Sequence, residues 1–133
     1  MKLNQLHILI FPLLFSTILH AQILNTEVKA KIELSYFEEM VSVTGTAENL
    51  DDGIKNLSYT LSVIKKNKQT TNTSNNSQNG EFTLNPNEKK ILSTTKINQS
   101  TKDEIIILLL IYDDNDVMVG KDRIIVEEKK SEV

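Results

Sequence analysis

The sequence predicts an all-β fold, and three observations predict it. Polar and apolar residues alternate through most of the chain after Ala21. Helical periodicity is weak over the same stretch. Clusters of Asn, Asp, Gly and Pro interrupt the alternation at short intervals, as turns do.

The elements follow in order. Val28 to Tyr36 places apolar residues at 28, 30, 32, 34 and 36 with polar residues between, a strand with one wet face. Val41 to Ala47 repeats the period and runs out at Glu48 and Asn49, and Leu50-Asp51-Asp52-Gly53 reads as a turn. Leu57 to Val63 alternates again. Lys65 to Gly80 holds Lys, Asn, Gln, Ser and Thr and no aliphatic residue, so it is either a polar edge strand or a long hairpin loop. Glu81 to Leu84 resumes alternation before a turn at Asn85-Pro86-Asn87-Glu88, where proline presets φ. Ile91 to Asn98 is a further strand. Ile105 to Ile111 is seven consecutive aliphatics, either a central strand covered on both faces or one whose second oily face is protected elsewhere. Tyr112 to Asp116 is a tight turn, and Val117 to Val126 is the last strand before a charged tail. About seven short strands in one unit predict a single immunoglobulin-like β-sandwich over residues 22–133.

The first segment reads differently. Lys2 is followed by an apolar run from Leu6 to Leu19 and then His20-Ala21-Gln22, the pattern of a cleavable export signal over residues 1–21. The run contains Pro12 and is shorter than the ~20 residues a membrane-spanning helix needs, so no stable membrane insertion is expected after cleavage. Both histidines, His7 and His20, fall inside this segment, and the chain has no cysteine. Residues 22–133 therefore offer neither an imidazole base, nor a thiol, nor the usual zinc ligands, and no enzyme activity or cofactor is expected. The formal charge of −3 for the whole chain gives no basic surplus for nucleic acid. Only 5% of the residues are aromatic, so Ile, Leu and Val must build the core.

Three blocks between Leu57 and Val126 carry a resemblance. Leu57-Ser-Tyr-Thr-Leu-Ser-Val63 leads into a Ser/Asn-rich stretch ending Gln78-Asn79-Gly80. Gly80-Glu-Phe-Thr-Leu-Asn-Pro-Asn-Glu88 precedes Ile91-Leu92-Ser93. Asp103-Glu-Ile105 precedes Leu110-Ile-Tyr-Asp-Asp-Asn-Asp-Val-Met-Val119. Together they resemble the curli-assembly chaperone family, the CsgC/CsgH type. The family often has Pro-Gly where this chain has Pro86-Asn87, a turn Asn can support because it tolerates positive φ. The Cys-x-Cys pair of some members is absent, and with it any redox role. The resemblance implies an immunoglobulin-like fold in the periplasm and a chaperone that delays nucleation of a curli-type amyloid subunit; a monomer is expected.

The residues that suit such a task are cationic. Lys65, Lys66 and Lys68 cluster near a strand end, and Lys89, Lys90 and Lys96 extend the patch if their strand lies alongside. Such a patch would steer a client of opposite potential. The same lysines also fit a solvated loop that protects a sheet edge. Asp113-Asp-Asn-Asp116 lacks the Gly and Glu of a calcium loop and reads as a hairpin turn. In the bacterial setting that the resemblance implies, the Asn-x-Ser triplets at Asn56, Asn72, Asn75 and Asn98 are chance matches to a glycosylation motif. The competing functional reading is a non-catalytic secreted adhesion or structural module.

Overall fold

The computed structural model describes residues 24–100 and 102–126. The expected export signal, residues 1–21, and the charged tail, residues 127–133, lie outside the described residues. Seven strands form: β1 (Val28–Phe37), β2 (Met40–Asn49), β3 (Lys55–Asn67), β4 (Thr73–Leu84), β5 (Lys89–Asn98), β6 (Asp103–Tyr112) and β7 (Met118–Val126). All pairings are antiparallel. One sheet has the order β1-β2-β5 and the other β4-β3-β6-β7. The expected seven-stranded sandwich is what forms.

β4 pairs with β3 instead of extending the first sheet, as the fourth strand of a constant-type immunoglobulin domain would. A tight connection enforces this. Asn67 N–H donates to Asn72 O (2.8 Å), Thr71 N–H donates to Asn67 O (3.0 Å), and Asn67 Oδ1 accepts from Gln69 and Thr70 N–H. The segment from Lys65 to Gly80 is thus a hairpin whose second arm is a polar edge strand, the first of the two expected alternatives.

The core lies between the inner faces and is aliphatic, as the composition requires. Val28, Ala30 and Ile32 face Val41, Val43 and Ala47 along the first sheet, and Leu57, Leu61 and Val63 meet Ile105, Ile107, Leu109 and Ile111 in the second. The aliphatic run of β6 resolves by period. Its odd residues are buried, while Ile106, Leu108 and Leu110 are half-buried on the outer face. On that face Ile106 stands between Ile64 and Ile125, and Leu108 between Ser62 and Arg123. Neighbouring side chains in register, not a further layer, shade this stripe among the described residues.

The block Gly80–Pro86 is explained by packing. Tyr59 lies across Gly80, where a Cβ would come within 3.1 Å of its ring. Phe82 meets Tyr59 edge-on with centroids 6.0 Å apart, and Leu84 is fully buried. Pro86 then opens a type II turn closed by Glu88 N–H to Asn85 O (3.1 Å), with Asn87 at φ 59° in the position that favours glycine. Asn49, wholly buried, ties this turn to the β2–β3 loop. Its Nδ2 donates to Gly53 O (2.7 Å) and Asn85 O (3.1 Å), and its Oδ1 accepts from Asp51 N–H (3.0 Å).

Candidate functional site

Among the described residues the sandwich has four edge strands, and open edges are where a sheet can pair with another chain. The β1–β7 side is closed by side chains. Asn25 Nδ2 donates to Lys121 O (2.9 Å) while its Oδ1 accepts from Lys121 N–H (3.2 Å), imitating a paired strand residue. Asp122 Oδ2 accepts from Ile32 N–H (2.7 Å), joining the two sheets at this seam. The other side is formed by β4 and β5, one from each sheet. Tyr59 Oη donates to Leu92 O (3.1 Å), Ser93 Oγ donates to Gln78 Oε1, and Lys90 Nζ donates to Thr83 O (2.7 Å) across it.

The six expected lysines rim this β4–β5 side without forming one patch. Lys65 and Lys66 are adjacent in sequence, and the strand period sends them to opposite faces. Lys65 Nζ reaches Asp103 Oδ2 (3.3 Å) and Asn98 O (3.3 Å), closing the end of the sandwich. Lys66 is exposed on the outer face of the four-stranded sheet, in register with Glu104. Lys68 sits in the β3–β4 turn, its N–H donating to Lys102 O (2.8 Å). Lys89 and Lys90 lie at the far end of β5, ion-paired with Glu33 (3.2 Å) and Glu88 (3.8 Å). Lys96 is exposed on the outer face of the other sheet, in register with Ser42. Carboxylates thus offset Lys65, Lys89 and Lys90, and the cationic character divides between the two ends of β4.

Between those ends β4 is neutral. From Gln69 to Gly80 no residue is charged or aliphatic. Asn75, Ser77 and Asn79 face outward, with Ser77 Oγ 2.9 Å from Ser62 Oγ and donating to Asn75 Oδ1 (3.2 Å). The half-buried stripe Ile106, Leu108 and Leu110 runs two strands away on the same outer face. Sequence reasoning singled out the polar segment from Lys65 to Gly80 as a candidate edge strand but not the aliphatic outer face. The run of aliphatics was visible, but not which half of it would be left facing outward.

The end of the sandwich opposite Lys65 is acidic. Asp113, Asp114, Asp116 and Glu81 line an open cleft of about 470 Å³ together with Asn56 and Phe82. The turn itself is a hairpin connection, as expected. Asp113 Oδ1 accepts from Asn115 and Val117 N–H (both 2.9 Å), and Asp116 takes φ 59°. Among the described residues no group of His, Cys, Asp or Glu is arranged to hold a metal. Two titrating groups nearby are shifted, Asp51 in the β2–β3 loop and Lys55 at the start of β3. Asp52 N–H, then Lys55, hold the Asp51 carboxyl below its ordinary value, and the bond to Asp51 raises Lys55.

No protein-family model and no curated protein sequence matches the chain. Solved structures do. The Escherichia coli curli protein CsgC is similar with a TM-score of 0.58 at 11% identity, over 72% of this chain and 96% of that one. CsgH of R. palustris is similar with a TM-score of 0.52 at 21% identity, over 71% and 89%. Bacteroides uniformis β-glucuronidase 2 contains a similar sandwich, with a TM-score of 0.54 at 8% identity, over 75% of this chain but 14% of the enzyme. At these identities the likeness is one of fold.

Proposed function

We propose that this chain is a non-catalytic, monomeric periplasmic accessory protein of a curli-type system, and that it delays amyloid assembly of the fibre subunit by weak surface contact. The observation that carries the reading is the extent of the fold match. Nearly the whole of CsgC and most of CsgH superpose on this sandwich. The sequence blocks from Leu57 to Val119 point the same way, and the export pattern of residues 1–21 suits the compartment.

The mechanism we infer has two parts. Lysines at the ends of β4, Lys66 and Lys68 at one and Lys89 and Lys90 at the other, raise the encounter rate with an acidic client. The exposed β4–β5 side and its adjoining face then make short-lived contacts that occupy strand-forming segments of the client. The ion pair with Asp103 reduces what Lys65 contributes to the field.

The second reading is a structural or adhesive module. The sandwich embedded in a far longer β-glucuronidase favours it, because the same fold there is one part among several. Thioflavin kinetics of a freshly desalted curli-type subunit separate the two. A chaperone lengthens the lag at molar ratios well below one, and Lys66→Glu with Lys68→Glu shortens that lag again. Added salt weakens the effect, since exposed charges more than ~8 Å apart are largely screened at physiological ionic strength. An adhesive module leaves the lag unchanged and binds one folded partner stoichiometrically.

A further inference from the structure

We propose that the edge of β4 from Thr73 to Asn79 takes up an extended segment rich in Asn, Gln, Ser and Thr by strand addition. The proposal deepens the chaperone reading and rests on it for the identity of the client.

The edges of the two sheets are not equivalent. β1 and β7 are joined by the side-chain bonds of Asn25 and Asp122. The β2–β5 pairing carries a register shift at Gly45/Thr46, and β5 bears Lys89, Lys90 and Lys96, all devices that discourage pairing with another chain. Over its first part, from Thr73 to Gly80, β4 carries no such charge, no proline and no register shift against β3, and a side-chain bond, from Ser93 Oγ to Gln78 Oε1, ties its inner face to β5. Thr73 to Ser77 and Asn79 are exposed. Among the described residues, no backbone hydrogen bond joins this stretch to any strand but β3. In an antiparallel edge strand every second residue turns its N–H and C=O away from the sheet, so a row of donors and acceptors faces outward here. The row ends where Lys90 occupies Thr83 O and Glu81 introduces a charge.

The side chains select the occupant. Asn75, Ser77 and Asn79 present amides and a hydroxyl on the outer face. An incoming strand lays its own side chains beside them, and amide and hydroxyl side chains pair along such a row. A charged strand finds no counter-charge between Lys68 and Glu81, and an aliphatic strand buries methyl groups against amides. Seven residues at ~3.4 Å each give an edge of roughly 24 Å, enough for one short segment. The sheet is twisted and its opposite edge sealed, so an added strand is held without extending a flat cross-β stack.

The test uses the whole exported protein and a short soluble peptide of Ser, Asn, Gln and Thr. Amide exchange is read by NMR with and without the peptide. Alternate amides from Thr73 to Asn79 should gain about tenfold or more protection. Asn75→Pro and Asn76→Pro are made separately. Their N–H groups point to opposite sides, so one of the two leaves the β3 ladder intact, and that folded variant should lose binding at least about tenfold. Asn76→Lys, which places a gatekeeping charge on the edge, should weaken binding in the same direction. Protection on Ile106–Leu110 instead of β4, or wild-type binding by the folded proline variant and by Asn76→Lys, overturns the proposal. A fibre lag that wild type lengthens and the folded proline variant lengthens equally also overturns it, while leaving the chaperone reading standing. Peptide protection of β4 in a protein that never lengthens the lag supports the edge and removes the chaperone reading.

Discussion

Asn49→Ala should destabilise the fold more than any other single change in a loop-bordering residue. The side chain is fully buried and makes three hydrogen bonds, to Gly53 O, to Asn85 O and from Asp51 N–H. Each bond contributes ~0.5–1.5 kcal/mol net, and a partner left buried without a substitute costs ~1–3 kcal/mol. Gly53, Asn85 and Asp51 are exposed, so water recovers part of the loss. The expected sum is about 2–4 kcal/mol. Urea unfolding measures it directly. With a slope of ~1–3 kcal/mol per molar, the midpoint should fall by roughly 0.7–4 M with the slope unchanged. A loss under about 1 kcal/mol would mean that the β2–β3 loop and the type II turn hold together without their shared amide. Asn49→Asp should be at least as damaging, since it removes both donors and buries a charge.

Asp122→Ala removes the acceptor for Ile32 N–H and unseals the β1–β7 side. A loss of ~1–3 kcal/mol is expected, with concentration-dependent association by light scattering; a variant that stays monomeric and fully stable contradicts the sealing role. Thr71 is a β-branched residue at φ 63°. Relieving that strain recovers ~1–2 kcal/mol against a glycine cost of ~0.5–1 kcal/mol, so Thr71→Gly should raise the melting temperature by a few degrees, and a lower value contradicts it. Stability should be flat from about pH 5 to 9, because residues 22–133 contain no His or Cys. The lowered Asp51 contributes above its ordinary value of 3.8 and is lost as pH falls through its folded value; the raised Lys55 contributes below 10.5 and is lost at higher pH. Lys55→Met should therefore soften the acid-side decline seen in pH-dependent unfolding.

Much of the architecture is legible because period-2 burial leaves a mark on the sequence. β1 reads directly from Val28, Ala30 and Ile32, which are all buried against the core. Asn87 at positive φ is readable from the Pro-Asn pair alone. β4 is harder. Its first half covers no core, so nothing selects apolar residues there, and only Phe82 and Leu84 betray which face turns inward. β6 hides the opposite way, since a strand aliphatic on both faces does not say which face is left without a second layer. The lysines illustrate a third limit. Adjacency put Lys65 and Lys66 together in the sequence, but the pleat parts them, and the partners Asp103 and Glu33 come from strands far along the chain. Asn25 and Asp122 seal an edge through bonds spanning 96 and 90 residues, a pairing no local pattern announces.

The proposed role of this sandwich is to keep a curli-type subunit from assembling. The most direct measurement is the fraction of freshly desalted cognate subunit still monomeric by size-exclusion after a fixed incubation, with the protein present well below one molecule per subunit. Most subunit should stay monomeric when control samples have converted to fibres. Subunit that converts at the same rate, even with the folded protein at equimolar concentration, would contradict that role and leave the structural module as the better description.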